Sequence, residues 1–120
     1  MSVLLPPEPI KEADKLVNII SDTSIQNETK CPSDDFLQFL HFNLSYMVDL
    51  YLENDKKYDP HFYTNAESIF ESNCDDIKIM MSTDEQLLNI VFNFLESKSK
   101  HSSCIVRGRY CRVLGQLLLR

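Results

Sequence analysis

Glycine is nearly missing from this chain. Only Gly108 and Gly115 occur in 120 residues. Tight β-hairpins draw on glycine for positive φ, so little of the sequence can turn strands. No apolar–polar alternation persists beyond a few positions, and Leu, Lys, Glu and Gln are common. The chain reads as all-α. No apolar run reaches the roughly 18 residues that a membrane-spanning helix needs. The opening stretch, MSVLLPPEPIKEAD, lacks the basic start and long apolar centre of a signal peptide. The expected location is the cytoplasm, with the nucleus as a second compartment, and the sequons at Asn27 and Asn43 read as chance matches. The four cysteines, Cys31, Cys74, Cys104 and Cys111, form no CxxC pair. They read as reduced, buried thiols and not as a disulfide framework or a zinc site.

Catalytic signatures are also missing. There is no glycine-rich phosphate loop, no HExxH, no GxSxG and no kinase motif. His41, His61 and His101 are far apart in sequence. His41 sits in an apolar run and reads as a packed or edge residue, and His101 as a solvated turn residue. Cys104 near His101 is the one conceivable nucleophile–base pair, but no third orienting group is suggested. The acid pairs Asp34-Asp35 and Asp84-Glu85 stand at helix starts, where capping and the helix dipole account for them. Asp75-Asp76 reads the same way, ahead of a short helix at Ile77. No catalytic residue, metal ligand or cofactor site is expected. Phe36, Phe39, Phe42, Tyr46, Phe92 and Phe94 fall at helical spacing without interleaved basic residues, so they read as core and not as a base-stacking platform.

The charge is lopsided. The net charge is −6, yet Lys98, Lys100, Arg107, Arg109, Arg112 and Arg120 stand in a terminal stretch without a single acid. All 18 acids and the other six bases precede them, a local balance of −12. An acidic body argues against nucleic acid as the main partner. The basic end suits an acidic neighbour.

About six helices are expected. Residues 1–9 form a proline-punctuated tail, and Ile10, Ala13, Leu16, Val17 and Ile20 mark the first helix. Residues 21–32 are polar and predict a loop. Ser33 is a good N-cap for a helix through Phe36, Leu37, Phe39 and Leu40. A further helix, or its continuation, runs from Leu44 to Leu52, and a turn closes at Pro60. Phe62–Glu71 is helical, and 72–81 is a connector with a short apolar piece. Ser82 with Glu85, and Thr83 with Gln86, offer two capping boxes. The helix behind them carries apolar residues from Leu87 to Leu95 over roughly 200° of its surface, too wide for one neighbour.

The last helix, from about Ser103, has a broad apolar face of Val106, Tyr110, Val113, Leu114, Leu117 and Leu118. Beside it Cys104, Gly108, Cys111 and Gly115 form a stripe of small residues, suited to close packing of another helix. Glycine inside a helix costs about 0.5–1 kcal/mol relative to alanine, which favours a packing reason. The arc of Arg109, Arg112 and Gln116 reads as solvated and partner-facing. Short helices that are apolar on more than one side predict HEAT/armadillo-like stacked helical pairs, an α-solenoid fragment.

Four blocks carry a resemblance. Asp84-Glu85-Gln86-Leu87-Leu88-Asn89-Ile90-Val91-Phe92-Asn93-Phe94-Leu95-Glu96 follows the form D-E-x-L-L-x-x-L-F/Y-x-F-L-D/E. Arg112-Val113-Leu114-Gly115-Gln116-Leu117-Leu118-Leu119-Arg120 ends like x-x-V/I-I/L-G-x-L-I/L-x-R. Tyr63 to Phe70 follows Y-P-x-x-A-x-E-I/L-L loosely, and Phe39-Leu40 with Met47-Val48-Asp49-Leu50 follows F-L…M-x-x-L. In this order and spacing the chain resembles the SAPS-domain family, regulatory subunits of protein phosphatase 6. The likeness covers about 34–120, so the expected division is a poorly matched segment, 1–32, and a SAPS-like helical region, 33–120. The chain departs from the family in its linker, Ser97 to Ser103, which lacks the usual prolines, and in the missing tyrosine-block proline. Family members are several hundred residues long, so the resemblance implies a stack cut at its C-terminal side. It also implies a non-enzymatic scaffold that binds a protein phosphatase 6-type Ser/Thr catalytic subunit and directs it to substrates and ankyrin-repeat proteins. The alternative is an unrelated small all-α interaction adaptor, closed and monomeric.

Overall fold

In a computed structural model, which describes residues 8–53, 58–98 and 104–118, the chain is all-α. Seven α-helices and one π-helical turn occur among the described residues, and no strand. The longest helix, α3 (Asp34–Tyr51), organises the rest. Its apolar residues recur every three or four positions, and Phe36, Phe39, Leu40, Leu44, Met47, Val48 and Tyr51 are buried. Ser33 starts it as expected, its hydroxyl accepting from the Phe36 amide, with Asp34 and Asp35 in the first turn. The two helices expected over 36–52 are this single one.

Around α3 pack α1 (Ala13–Ile20), α4 (Pro60–Phe70), α5 (Asp75–Thr83) and α6 (Glu85–Asn93). Pro60 occupies the first turn of α4, where its missing N–H is harmless, and Asp59 caps the helix by accepting from the His61 amide at 2.8 Å. Five residues, Phe94–Lys98, form the π turn, and α7 (Cys104–Leu118) follows. The radius of gyration is 13.4 Å. A compact domain of this length has about 13.6 Å, so the helices close around a common core.

Three expectations are corrected. The polar stretch 21–32 is not all loop: it contains α2 (Ile25–Lys30). Ile25 and Thr29 are buried, and the Thr29 carbonyl accepts from the Ser72 hydroxyl at 2.6 Å. Tertiary contacts make this six-residue helix, which could not stand alone. Neither capping box forms. Asp84 is the N-cap of α6, accepting from the Leu87 amide at 3.1 Å, while Ser82 and Thr83 both donate back to the Ile79 carbonyl. The carboxylate captures the free amide because α5 runs on through Thr83 and leaves those hydroxyls inside its last turn. Finally, no cysteine is buried: Cys31, Cys104 and Cys111 are exposed and Cys74 half-buried, all four free.

Two buried asparagines hold segments together. Asn43 accepts from the Ile10 amide at 2.7 Å and donates to the Phe39 carbonyl, fastening the N-terminal segment to α3. It is 1% exposed, so the folded chain presents no amide for glycosylation at that sequon. Asn65 donates to the carbonyls of Ile20 (2.7 Å) and Asp22 (3.0 Å) and accepts from Gln26, joining the α1–α2 corner to α4.

Candidate interaction surface

The expected partner-facing arc and the small-residue stripe both lie on α7. Its buried row is Val106, Tyr110 and Val113, with Leu114 and Leu117 half-buried beside it. The Tyr110 ring stacks on Phe94, centroids 4.7 Å apart and 20° from parallel. The π turn thus keeps Phe94 in the core while Leu95 is 54% exposed.

Of the expected solvated arc Arg112 is exposed and Arg109 half-buried, and both also touch the fold. One turn apart on α7, they clasp α4. The Arg109 guanidinium carbon lies 3.7 Å from the Tyr63 ring centroid and 5.6 Å from that of Tyr51. Arg112 hydrogen-bonds Glu71, and its Nε lies 3.8 Å from a Glu67 carboxylate oxygen. That same oxygen accepts from the Tyr51 hydroxyl at 2.8 Å. A chain of contacts therefore runs from α7 through α4 into the buried end of α3. Arg112 thus has acidic neighbours within the protein, Glu67 and Glu71. Gln116 is half-buried.

The stripe is also corrected. Cys104, Gly108 and Cys111 are exposed, Gly115 is half-buried, and a Cβ at either glycine would meet nothing within 4 Å. No described helix packs closely there, because the row Val106, Tyr110 and Val113, on the opposite side of α7, is the one turned to the core. The wide apolar arc of α6 is only partly covered. Leu87 and Val91 are buried, whereas Phe92 is 58% exposed. Ile105 at the start of α7 is 50% exposed.

The remaining chemistry-bearing groups do not assemble. His41 is exposed, edge-on to Phe42, and His61 pairs with Asp59 at 3.0 Å. The proposed neighbour of Cys104, His101, lies outside the described residues. No group of three or more His, Cys, Asp or Glu among the described residues is placed to hold a metal ion. An open cleft of about 400 Å³ lies between α3 and the α5–α6 corner, lined by Phe42, Met80, His41, Thr83, Asp84 and Gln86. Thr83, Asp84 and Gln86 already bond within the fold. No described helix is long and apolar enough to cross a membrane.

Burial, with the Glu67 hydrogen bond second, holds the Tyr51 phenol well above its ordinary value, and burial also raises Tyr110. Both groups keep their protons in the folded chain at a pH where the unfolded chain loses them. Their contribution to stability is fully present below about pH 10, the ordinary tyrosine value, and is lost as the pH rises beyond it. Urea midpoints are expected to hold to about pH 9 and fall by about pH 11, with the phenolate absorbance of Tyr51 and Tyr110, the last to develop, appearing alongside unfolding. Full phenolate absorbance at high pH from a chain still folded by circular dichroism would contradict this.

Comparison of the chain with protein-family models, with curated proteins and with solved structures finds no match.

Proposed function

We propose that this chain is a regulatory scaffold of the SAPS type, built of HEAT/armadillo-like stacked helical pairs. It binds a protein phosphatase 6-type Ser/Thr catalytic subunit and directs it to substrates, with ankyrin-repeat proteins as further partners. It contributes binding surface and not catalysis. The observation that supports this reading most is the order of the four resembling blocks along the helices. The F-L…M-x-x-L block lies on α3, the tyrosine block on α4, the D-E-x-L-L block on α6 and the π turn, and residues 112–118 of the glycine block on α7. Exposed Phe92, Leu95 and Ile105 supply apolar surface of the kind that a protein partner covers.

The test is retention of a purified phosphatase 6-type catalytic subunit on the immobilised full chain, beside phosphatase 1 as a control. Selective retention and co-elution in gel filtration are expected. Loss of the catalytic subunit from chain that is folded by circular dichroism overturns the reading. The second reading, an unrelated all-α adaptor, is favoured by the closed-domain radius of 13.4 Å. It requires a strict monomer at high concentration in light scattering, whereas an open stack self-associates.

A further inference from the structure

We propose that α7 is a latch: a helix that undocks as a unit from the remaining fold and is held shut by Arg109 and Arg112 against α4. The inference is independent of any phosphatase partner.

The sequence makes α7 a poor helix. Each interior glycine weakens it by about fivefold relative to alanine. It has no acid in its first turn and no base in its last, so side chains within the helix relieve neither end of its dipole. A helix of this length is marginal in water without packing.

Its packing is narrow as well. Among the described side chains of α7, Val106, Tyr110 and Val113 are buried and Leu114 and Leu117 half-buried, whereas α3 buries residues along its whole length. Its principal backbone neighbour is α5, which itself buries only Ile77 and Met81. On the outer side Gly108 and Cys111 are exposed, and a Cβ at Gly108 would meet nothing within 4 Å. The clasp ties α7 to α4. Arg112 reaches both Glu67 and Glu71, and Arg109 lies on the Tyr63 ring. The Arg112 side chain is 44% exposed and that of Glu71 43%, so salt screens this contact.

Segments with few buried contacts and solvent-accessible polar ties are those that open below the global unfolding free energy. When α7 lifts, the rings of Tyr63, Tyr51 and Phe94 lose their cover, with Glu67 and Glu71 at the rim. The latch therefore hides an aromatic, acid-edged surface.

Native-state hydrogen exchange of the full chain, read by mass spectrometry in low urea, tests this. Amides of 104–118 are expected to exchange by a local opening that urea barely affects, while buried α3 amides exchange only by global unfolding. Arg112→Gln should hasten α7 exchange by about threefold to tenfold and leave α3 unchanged. Raising salt from about 20 mM to about 500 mM should do the same to the wild type and add little to the variant. Gly108→Ala and Gly115→Ala, where space is open, should each slow α7 exchange by about fivefold and leave α3 untouched. The proposal is overturned if α7 and α3 exchange in step in the wild type. It is equally overturned if the glycine variants slow both helices alike, since α7 would then unfold only with the whole domain.

Discussion

Tyr51→Ala is expected to lower the unfolding free energy by about 3–5 kcal/mol, the range for removing a fully buried aromatic ring. For a chain of this size that is a fall in Tm of about 15 °C, since each kcal/mol is worth about 3–5 °C. Tyr51 ends α3 at the point where three helices meet. Its ring lies edge-on to Phe70 at 5.1 Å and tilted to Tyr63 at 6.2 Å, and it is completely shielded from solvent. Alanine leaves a ring-sized cavity and removes the hydroxyl that donates to Glu67. Tyr51→Phe separates the two effects. It keeps the ring, and Glu67 retains Arg112, so a loss of only about 1 kcal/mol is expected. Urea denaturation followed by far-ultraviolet circular dichroism measures both. Equal losses for the two variants would show that the hydroxyl and not the ring carries the stability.

Tyr51 also marks what the sequence made legible. The helical period through α3, α4 and α6 places Phe39, Leu44, Met47, Phe62 and Leu87 inside, because an apolar residue every three or four positions has one physical solution. Ser33 and Pro60 start their helices for local reasons that the sequence displays. Partners distant in sequence were not legible. Nothing local distinguishes an arginine facing water from one lying on a tyrosine ring from a different helix, so the Arg109–Arg112 clasp was missed. The lack of acids in the last 23 residues was its visible trace: Arg112, with no local counter-ion, found Glu67 and Glu71 across the fold. The small-residue stripe misled in the opposite sense, since spacing defines a face of a helix but not what covers it. For α2 the polar composition was real, and side-chain bonds to α4 and the segment after it outweighed it.

Those same bonds yield a second large effect, expected for Asn65→Leu. Asn65 is 4% exposed and makes both its donor and its acceptor bonds inside the protein. Leucine is of similar volume, so the change removes bonds without opening a cavity. It strands the Ile20 carbonyl and the Gln26 Nε2, and takes one of two donors from the Asp22 carbonyl, which keeps the Ile25 amide. A buried group left without a partner costs about 1–3 kcal/mol. The Gln26 side chain is half-buried and can turn toward water, and the Asp22 carbonyl keeps the Ile25 amide, so one full penalty and one partial one apply. The sum is a loss of about 2 kcal/mol, or about 8 °C in Tm. The damage should be concentrated at the corner: exchange of amides in 20–30 should rise further than that of buried amides in α3. An apolar gain on burying leucine against Ile20 would pull the other way, and a variant as stable as the parent would show that this gain equals the lost hydrogen bonds. Asn65→Asp keeps the acceptor for Gln26 but replaces the donor to two carbonyls with a carboxylate. It is expected to be worse than leucine near pH 7 and to recover partly as the pH falls and the carboxyl gains a proton that it can donate.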